Sequence, residues 1–541
     1  MASQCFTPVP TPCKPAVTGR ALDDFTVRFN TATTQAQVPN PPHPTNNDLA
    51  LADKCGSYSK GIEQTTIPGK VNLAAFAKLQ TAIASGKFAD FENIPLGGGM
   101  NSAKLNGPMA SYAWTMQGAD SSLFGAPAGP KPPVPAPPSV ASKEWATELV
   151  ELYWCSLLRD VAFTDYSTTH LAKDAAAELS TLPTYAGPKS AGKVTPELLF
   201  RGAFEGEEFG PYVSQLLLIP TVFGAAPFDQ RYFTYRPGVD YMTDLESWFA
   251  VQKGMSTGYT NQKVNTPRVL RDGRGLAAWT HVDELYQAYF TAYLVLESLN
   301  FETNLGNPYK NSMKQKAFGT FGGPDIAAVL GAVAKYALNA VWYQKWVIHL
   351  RHRPEAGGGL VHLIETGIGF DATPDQIIFK SEALKRSHNK YGSWLLSQPF
   401  PEGSPTHPAY PTGHGTVGGA CITVLKFFYN GESKFRSPVM PTTDGVALAP
   451  WTGQPGTGAV PSTGGTNGLD LNGELAKLAH NITFGHGLHG GIHWRSDSDS
   501  SMLLGEACAI SFLDDLVCTY AEPVTITIKK LDGSARTFTN V

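Results

Sequence analysis

Between residues 142 and 520 the chain returns again and again to one pattern, apolar side chains three and four positions apart. It does so over 142–161, 168–179, 241–253, 280–299, 324–350, 381–396, 416–429, 473–484 and 497–520. That period is the helical one, and a strand, with its period of two, cannot satisfy it. In the first segment Trp145, Leu149, Leu152, Leu157 and Val161 hold the spacing, and Ser142 stands where a cap belongs. The Ala-rich segment 324–350 opens on Pro324 and Asp325, as a helix start should, and Thr280 with Asp283 has the form of a capping box. Strand signals wait for the end, where 524–530 and 535–539 flank Asp532-Gly533 as a hairpin. The expected fold is mainly α, helical bundles with two four-helix-bundle-like cores, closed by a small C-terminal β-hairpin. No internal repeat of fixed period is present, and a four-helix arrangement duplicated in space would not require one.

Three regions follow. Residues 1–140, rich in Pro, Gly and Asn, read as an irregular wrapping region with one helix at 73–85, ending in the polyproline connector 130–138. Residues 141–521 form the helical catalytic region, and 522–541 the hairpin. Within the second, the Gly/Pro/Thr-rich stretch 438–472 is expected to be a surface excursion or a wall of the site. At 541 residues and 42% hydrophobic the chain can bury a large core. Its 42 basic and 46 acidic residues, net −4, argue against nucleic acid or a membrane surface as partner. No apolar run is expected to span a membrane, and the first residues lack a secretory signal pattern, which leaves the compartment unknown. Seven cysteines without a Cys-x-x-Cys pair include Cys155, Cys421 and Cys508 in apolar helical stretches, which read as buried thiols. Cys5, Cys13 and Cys55 leave an N-terminal disulfide open.

The chemistry gathers in three stretches. Pro408-Ala409-Tyr410-Pro411-Thr412-Gly413-His414-Gly415-Thr416 sets a hydroxyl, a glycine and a histidine at a helix start, where unpaired backbone N–H groups favour an anion. Lys345 and Arg353 lie eight apart (353 − 345) at the end of the long helix, just before Pro354. Alone they would balance a helix dipole; beside an anion site, Arg grips an oxyanion bidentately while Lys adds a point charge. His493 is followed four residues later by Asp497, which can orient its ring. Other motifs carry less. Residues 187–194 miss a phosphate-binding loop because Val194 replaces the needed hydroxyl, the 254–258 Gly-x-Ser-x-Gly reads as a helix terminus and turn, and the Asn481 sequon sits in helix.

Taken in order, Lys345…Arg353-Pro354, Pro411-Thr412-Gly413-His414 and His493-x-x-x-Asp497 resemble the vanadium-dependent haloperoxidases, within the superfamily of type-2 phosphatidic acid phosphatases and bacterial acid phosphatases. The eight-residue spacing, the phrase Gly403-Ser404-Pro405-Thr406-His407-Pro408-Ala409-Tyr410-Pro411 and the placing of His407 seven before His414 resemble the bromoperoxidase branch. The resemblance implies vanadate as cofactor, with His493 as the vanadium ligand and Lys345, Arg353, Thr412, Gly413 and His414 around its oxygens. It implies His414 as acid/base, Lys345 as the group polarising peroxide, and His407, His486, His489, Asp497 and Trp342 as their supports. The implied partners are a halide, hydrogen peroxide and a small organic acceptor, in a homo-oligomer, with an extracellular or cell-envelope setting. Bromide, with iodide, would be oxidised to hypohalous acid.

The sequence departs from this pattern at one place. The family's second arginine, six before the axial histidine, falls on Gly487; counted from Asn481 with one inserted residue it falls on His486. Other uses of the same pocket are an acid-phosphatase-type hydrolase with His493 as nucleophile, a non-catalytic structural member, and a zinc site of His486, His489 and His493.

Overall fold

Capping sets the helix starts. The Ser142 hydroxyl accepts the Trp145 N–H at 3.2 Å, and Asn72, Asp244, Asp272, Ser381 and Asp470 cap in the same way. The computed structural model describes residues 19–37, 42–113, 115, 121–123, 134–453 and 468–541. The N-terminal region holds α1 (Arg20–Gln37), α2 (Leu73–Ser85) and α3 (Phe88–Glu92). Then come α4 (Lys143–Leu158), α5 (His170–Thr181), α6 (Gln215–Leu218), α7 (Leu245–Gln252), α8 (Gly273–Thr280) and α9 (Gln287–Ser298). The second half carries α10 (Gly323–Tyr343), α11 (Pro354–Glu365), α12 (Gln376–Lys380), α13 (Glu382–Tyr391), α14 (Gly413–Phe428), α15 (Leu471–Phe484) and α16 (Arg495–Val517). The strands among the described residues are three short antiparallel pairs: β1 (Thr221–Phe223) with β2 (Ala226–Phe228), β3 (Val439–Pro441) with β4 (Leu448–Pro450), and β5 (Thr525–Lys529) with β6 (Ala535–Thr539). The last is the expected C-terminal hairpin, in register from Thr525↔Thr539 to Lys529↔Ala535.

The helices gather in two groups that share one continuous apolar core. In the first, α14 is buried along its whole length and packs against α10, α15 and α16. Glycines let α14 and α16 touch backbone to backbone: a Cβ on Gly419 would lie 2.0 Å from the Met502 carbonyl oxygen, and one on Gly505 2.0 Å from that of Thr416. Full burial of Ile422, Leu425 and Phe427 then adds roughly 1.5–3 kcal/mol each. In the second group α4 packs against α5, α11, α12 and α13.

Several expectations change. The segment 280–299 is two helices: Thr280 ends α8, α9 begins at Gln287, and Asp283 lies in the loop between them instead of capping. The run 324–350 is α10 followed by a π-helical turn, Gln344–His349, closed by Leu350 at φ +47°. A further helix, α11, escapes propensity because it contains Gly357-Gly358-Gly359. It forms because those glycines are filled from outside: Cβ atoms there would come within 2.8 Å of Trp494, 2.7 Å of Leu396 and 1.9 Å of Trp248 respectively. Against the expectation of no spanning run, Gly323–His349 is long and apolar enough to cross a membrane, but 61% of its most apolar window is buried inside the protein and it carries Lys345 at its end. Its apolarity belongs to the core.

Cys155, Cys421 and Cys508 are buried free thiols as expected, and Cys55 is free among the described residues; Cys5 and Cys13 lie outside them. So do part of the proline connector (130–133) and part of the 438–472 stretch (454–467), whose described part holds the β3–β4 pair. Residues 187–194 form a loop and 254–258 a turn after α7, as read. Asn481 is buried and its amide is spent on Ser214 and Tyr212, which closes it to modification.

Candidate oxyanion site

Four chain segments meet at the N-terminus of α14. Thr412 is its N-cap residue, and the Gly413 and His414 amides that follow have no preceding turn to bond. The Thr412 hydroxyl is buried without a hydrogen-bond partner, so it is available to a ligand where the sequence suggested a cap. Trp342, at the end of α10, lies over this start: a Cβ on Gly413 would be 3.3 Å from its ring.

The π-helical turn and the left-handed Leu350 redirect the chain so that Lys345 and Arg353 both enter the site. Lys345 donates to the Pro408 and Ala409 carbonyls at 2.9 and 2.7 Å. Arg353 donates from Nε to the His407 carbonyl (2.9 Å) and from Nη1 to the Ile492 carbonyl and His493 Nε2 (both 2.8 Å). Its Nη2 lies 3.0 Å from His407 Nδ1. Lys345 is 0% exposed and Arg353 1%, yet among the described residues neither pairs with a carboxylate. Burial, with the Arg353 charge beside it, pushes the Lys345 ammonium well below its usual range, and burial lowers Arg353 to about 10. Two buried cations lacking counter-charge are costly unless an anion joins them.

His493 donates from Nδ1 to Asp497 Oδ2 at 2.9 Å, which leaves Nε2 unprotonated, accepting from Arg353 Nη1. Burial and the Arg353 and Lys345 charges hold this imidazole neutral, and the same burial and Arg353 hold His407 neutral. Asp497 is fixed by the Trp494 N–H at 3.1 Å and by Arg351 Nη1, 2.7 Å from Oδ1, while Arg351 Nη2 reaches Glu148 of α4 at 3.0 Å. His414 contacts Asp283 Oδ1 through Nε2 at 2.9 Å, leaving Nδ1 for the pocket. Its ring lies 4.0 Å from that of His486, which in turn is 5.8 Å from His493. His486 Nδ1 is buried without a partner, and burial, then His414, lowers its pKa well below the usual value.

The structure thus brings together Lys345, Arg353, Thr412, Gly413, His414, His407, Trp342, His486, His493 and Asp497. His489 does not join them: its Nδ1 is 3.2 Å from Cys155 Sγ and its Nε2 2.9 Å from the Tyr212 hydroxyl, so it is a satisfied core histidine. The zinc triad of His486, His489 and His493 therefore does not form, and the described residues contain no other cluster able to hold a metal ion. A second π-helical turn, Gly485–His489, separates the two histidines. A π turn adds one residue to the helical count, which turns His486 toward His414 and sets Gly487 close against His493, whose Cβ is 3.1 Å from the Gly487 virtual Cβ. Sequence reasoning missed Arg351, Glu148 and Asp283. Arg351 stands two residues from Arg353 in the same basic run, a signal in plain view; Glu148 and Asp283 offered none beyond their charge.

The fold and the site define a class: a helical-bundle protein in which buried cations, a helix N-terminus and an unprotonated imidazole nitrogen converge on one pocket. No protein-family model matches the chain. The vanadium-dependent bromoperoxidase of Ascophyllum nodosum is 32% identical over 505 residues, 89% of this chain and 86% of the relative. That of Corallina officinalis is 32% identical, over 74% of this chain and 75% of its own length. Among solved structures, the homohexameric second vanadate-dependent bromoperoxidase of Ascophyllum nodosum superposes with a TM-score of 0.88 at 27% identity, covering 100% of this chain and 94% of that one. The chain belongs to the vanadium-dependent bromoperoxidase family.

Proposed function

We propose that this protein is a vanadate-dependent haloperoxidase that oxidises bromide, and iodide, with hydrogen peroxide to hypohalous acid, and that it works as a homo-oligomer. The observation that carries the reading is the pair of buried cations, Lys345 and Arg353, set without carboxylate partners beside the His493 Nε2 lone pair. The orphaned Thr412 hydroxyl and His486 Nδ1 fit the same group, since a tetraoxo anion offers them the acceptors they lack. The hexameric relative supports the oligomer.

Vanadate, when bound, supplies a Lewis-acid centre that activates peroxide toward halide attack without changing its own oxidation state. The residues of this chain do the rest. His493 would offer Nε2 as ligand, and Asp497 keeps the proton on Nδ1 so that Nε2 stays unprotonated. Lys345, Arg353, the Gly413 amide, the Thr412 hydroxyl and His486 would hold its oxygens, the two cations offsetting their charge. His414 takes and returns a proton at Nδ1, steadied through Nε2 by Asp283. Trp342 and His407, with ring centroids 4.8 Å apart, wall the site and keep it dry. In balance, one halide, one peroxide and one proton give one hypohalous acid and one water.

The test is halogenation of a cyclic diketone probe by the metal-free protein with bromide and peroxide, before and after orthovanadate, beside His493→Ala. Turnover that appears with vanadate and vanishes in the variant is expected. A wild type inactive at saturating vanadate would overturn the reading and direct attention to hydrolysis of phosphate esters in the same pocket.

A further inference from the structure

Two carboxylates steady histidines of the pocket, and they are held in different ways. Asp497 receives Arg351 and the Trp494 N–H besides His493. Asp283 has the His414 contact at Oδ1, and its buried Oδ2 is without a hydrogen-bond partner. Its side chain is 3% exposed, so the carboxylate sits where the backbone of its loop, 281–286 between α8 and α9, puts it. Val282, Glu284 and Tyr286 of that loop are exposed, and Leu285 rests half-buried on the core. Its backbone bonds, His281 N–H to the Ala277 carbonyl and Gln287 N–H to the Glu284 carbonyl, are local. They shape the loop without tying it to the walls of the pocket.

His281 supplies that tie. Its Nδ1 lies 2.5 Å from the Tyr235 hydroxyl, and its Nε2 meets Glu402 Oε1. Burial would raise the Glu402 carboxyl, but the hydrogen bond from His281 outweighs it and holds the group below its usual range. A carboxylate can only accept, so Nε2 carries a proton, which leaves Nδ1 to pair with Tyr235. The ring also stacks on fully buried Phe400, with centroids 4.0 Å apart. Glu402 is anchored in turn: its carbonyl accepts from Lys60 at 2.7 Å, and Lys60 is paired with buried Glu355 at 2.6 Å. Contacts therefore run from the core through Glu402 to His281, and two residues later the chain reaches Asp283. One imidazole joins the stretch that leads to His407 to the loop that bears Asp283. The pair is open to solvent, 21% for His281 and 54% for Glu402, so its loss should cost the fold little.

We infer that His281 is a positioning residue for the acid/base step: tethered by Tyr235 and Glu402 and stacked on Phe400, it sets the loop that presents Asp283 to His414 Nε2. For its effect on turnover the inference rests on the haloperoxidase reading. Without the tether the loop shifts, Asp283 leaves His414, and that imidazole loses the contact that orients Nδ1 toward the pocket. His281 lies outside the groups that hold the anion, so vanadate affinity should not follow.

The experiment measures kcat for bromide oxidation per bound vanadium, with vanadate affinity by equilibrium dialysis, in His281→Phe, Asp283→Asn and the two combined. Phenylalanine keeps the stack on Phe400 and removes both hydrogen bonds. Expected are a kcat about tenfold lower in His281→Phe, a vanadate affinity within about twofold of the wild type, and no further loss of kcat on adding the change to Asp283→Asn. Glu402→Ala cuts the tether from its other, half-exposed end and should lower kcat in the same direction. An unchanged kcat in both tether variants, an affinity that falls in step with kcat, or losses that multiply in the combined variant would overturn the inference. Hydrogen exchange followed by mass spectrometry on the vanadate-free protein needs no turnover. His281→Phe should speed exchange in 281–286 about tenfold while α14 keeps the wild-type rate. Equal rates in the loop, or faster exchange in α14 as well, would remove the tether. Should the wild type show no halogenation at all, the haloperoxidase reading fails by itself, and the exchange arm still decides whether His281 holds the Asp283 loop.

Discussion

Arg351 and Arg353 stand two residues apart, both 1% exposed, and they have opposite lives. Arg351 is paired with two carboxylates, Asp497 and Glu148, and the pair outweighs burial to raise its pKa. Arg353 has no carboxylate partner, spends its donors on carbonyls and imidazoles, and is lowered by burial. A compensated buried cation holds the protein together; an uncompensated one is kept at a cost to stability for something the protein binds.

The comparison can be broken at its strongest point by Arg351→Met. That change leaves Asp497 and Glu148 buried without a counter-ion, and about 3–5 kcal/mol of stability should be lost in urea unfolding of the vanadate-free protein. Arg353→Met should cost the vanadate-free fold little or nothing while weakening vanadate by roughly 10–100-fold in equilibrium dialysis. Equal destabilisation by the two changes would end the distinction.

His486 and His489, three residues apart in one π turn, repeat the contrast on a smaller scale. His489→Ala strips partners from Cys155 and Tyr212 and should cost about 1–3 kcal/mol of stability. His486→Ala should leave the melting curve nearly unchanged and weaken vanadate about tenfold.

The smallest effect is one of pH, far from the pocket. Burial alone would lower His480, but Glu207 and Asp499 overcome it and raise the pKa to about 9. Because the folded value lies above the unfolded one near 6.5, the contribution is full below about pH 6.5 and is lost as pH rises through about 9. His480→Gln should flatten the decline in melting temperature between pH 7 and 10, whereas Arg353→Met should not.

Much of this was legible in the chain because it is local. A hydroxyl and a glycine at a helix start, a basic pair spaced across a helix end and a carboxylate four residues after a histidine are each defined within a dozen residues. The helical period likewise announces most of the bundle. What stayed hidden depends on distant partners. Asp283 carries the pattern of a capping residue, and only the break between α8 and α9 frees it to meet His414, 131 positions away. Glu148 looks like any acidic residue on α4 until Arg351 arrives from 203 positions off. α11 is concealed by three glycines whose empty volume is supplied by Trp494, Leu396 and Trp248. His489 resembled a site residue because a histidine's ligands cannot be read from its neighbours in sequence.

Asp497 joins more of the chain than any description of its hydrogen bonds to one ring conveys. Its carboxylate takes Arg351, His493 and the Trp494 amide, and its carbonyl takes the Thr412 amide, so the basic run, the α14 start and His493 all converge on it. Each of these partners precedes it in the sequence. The segments that carry them can be synthesised, and their helices can form, before the residue that ties them together is made. A chain cut short before Asp497 would carry Lys345, Arg353 and the α14 start with nothing to hold them in register.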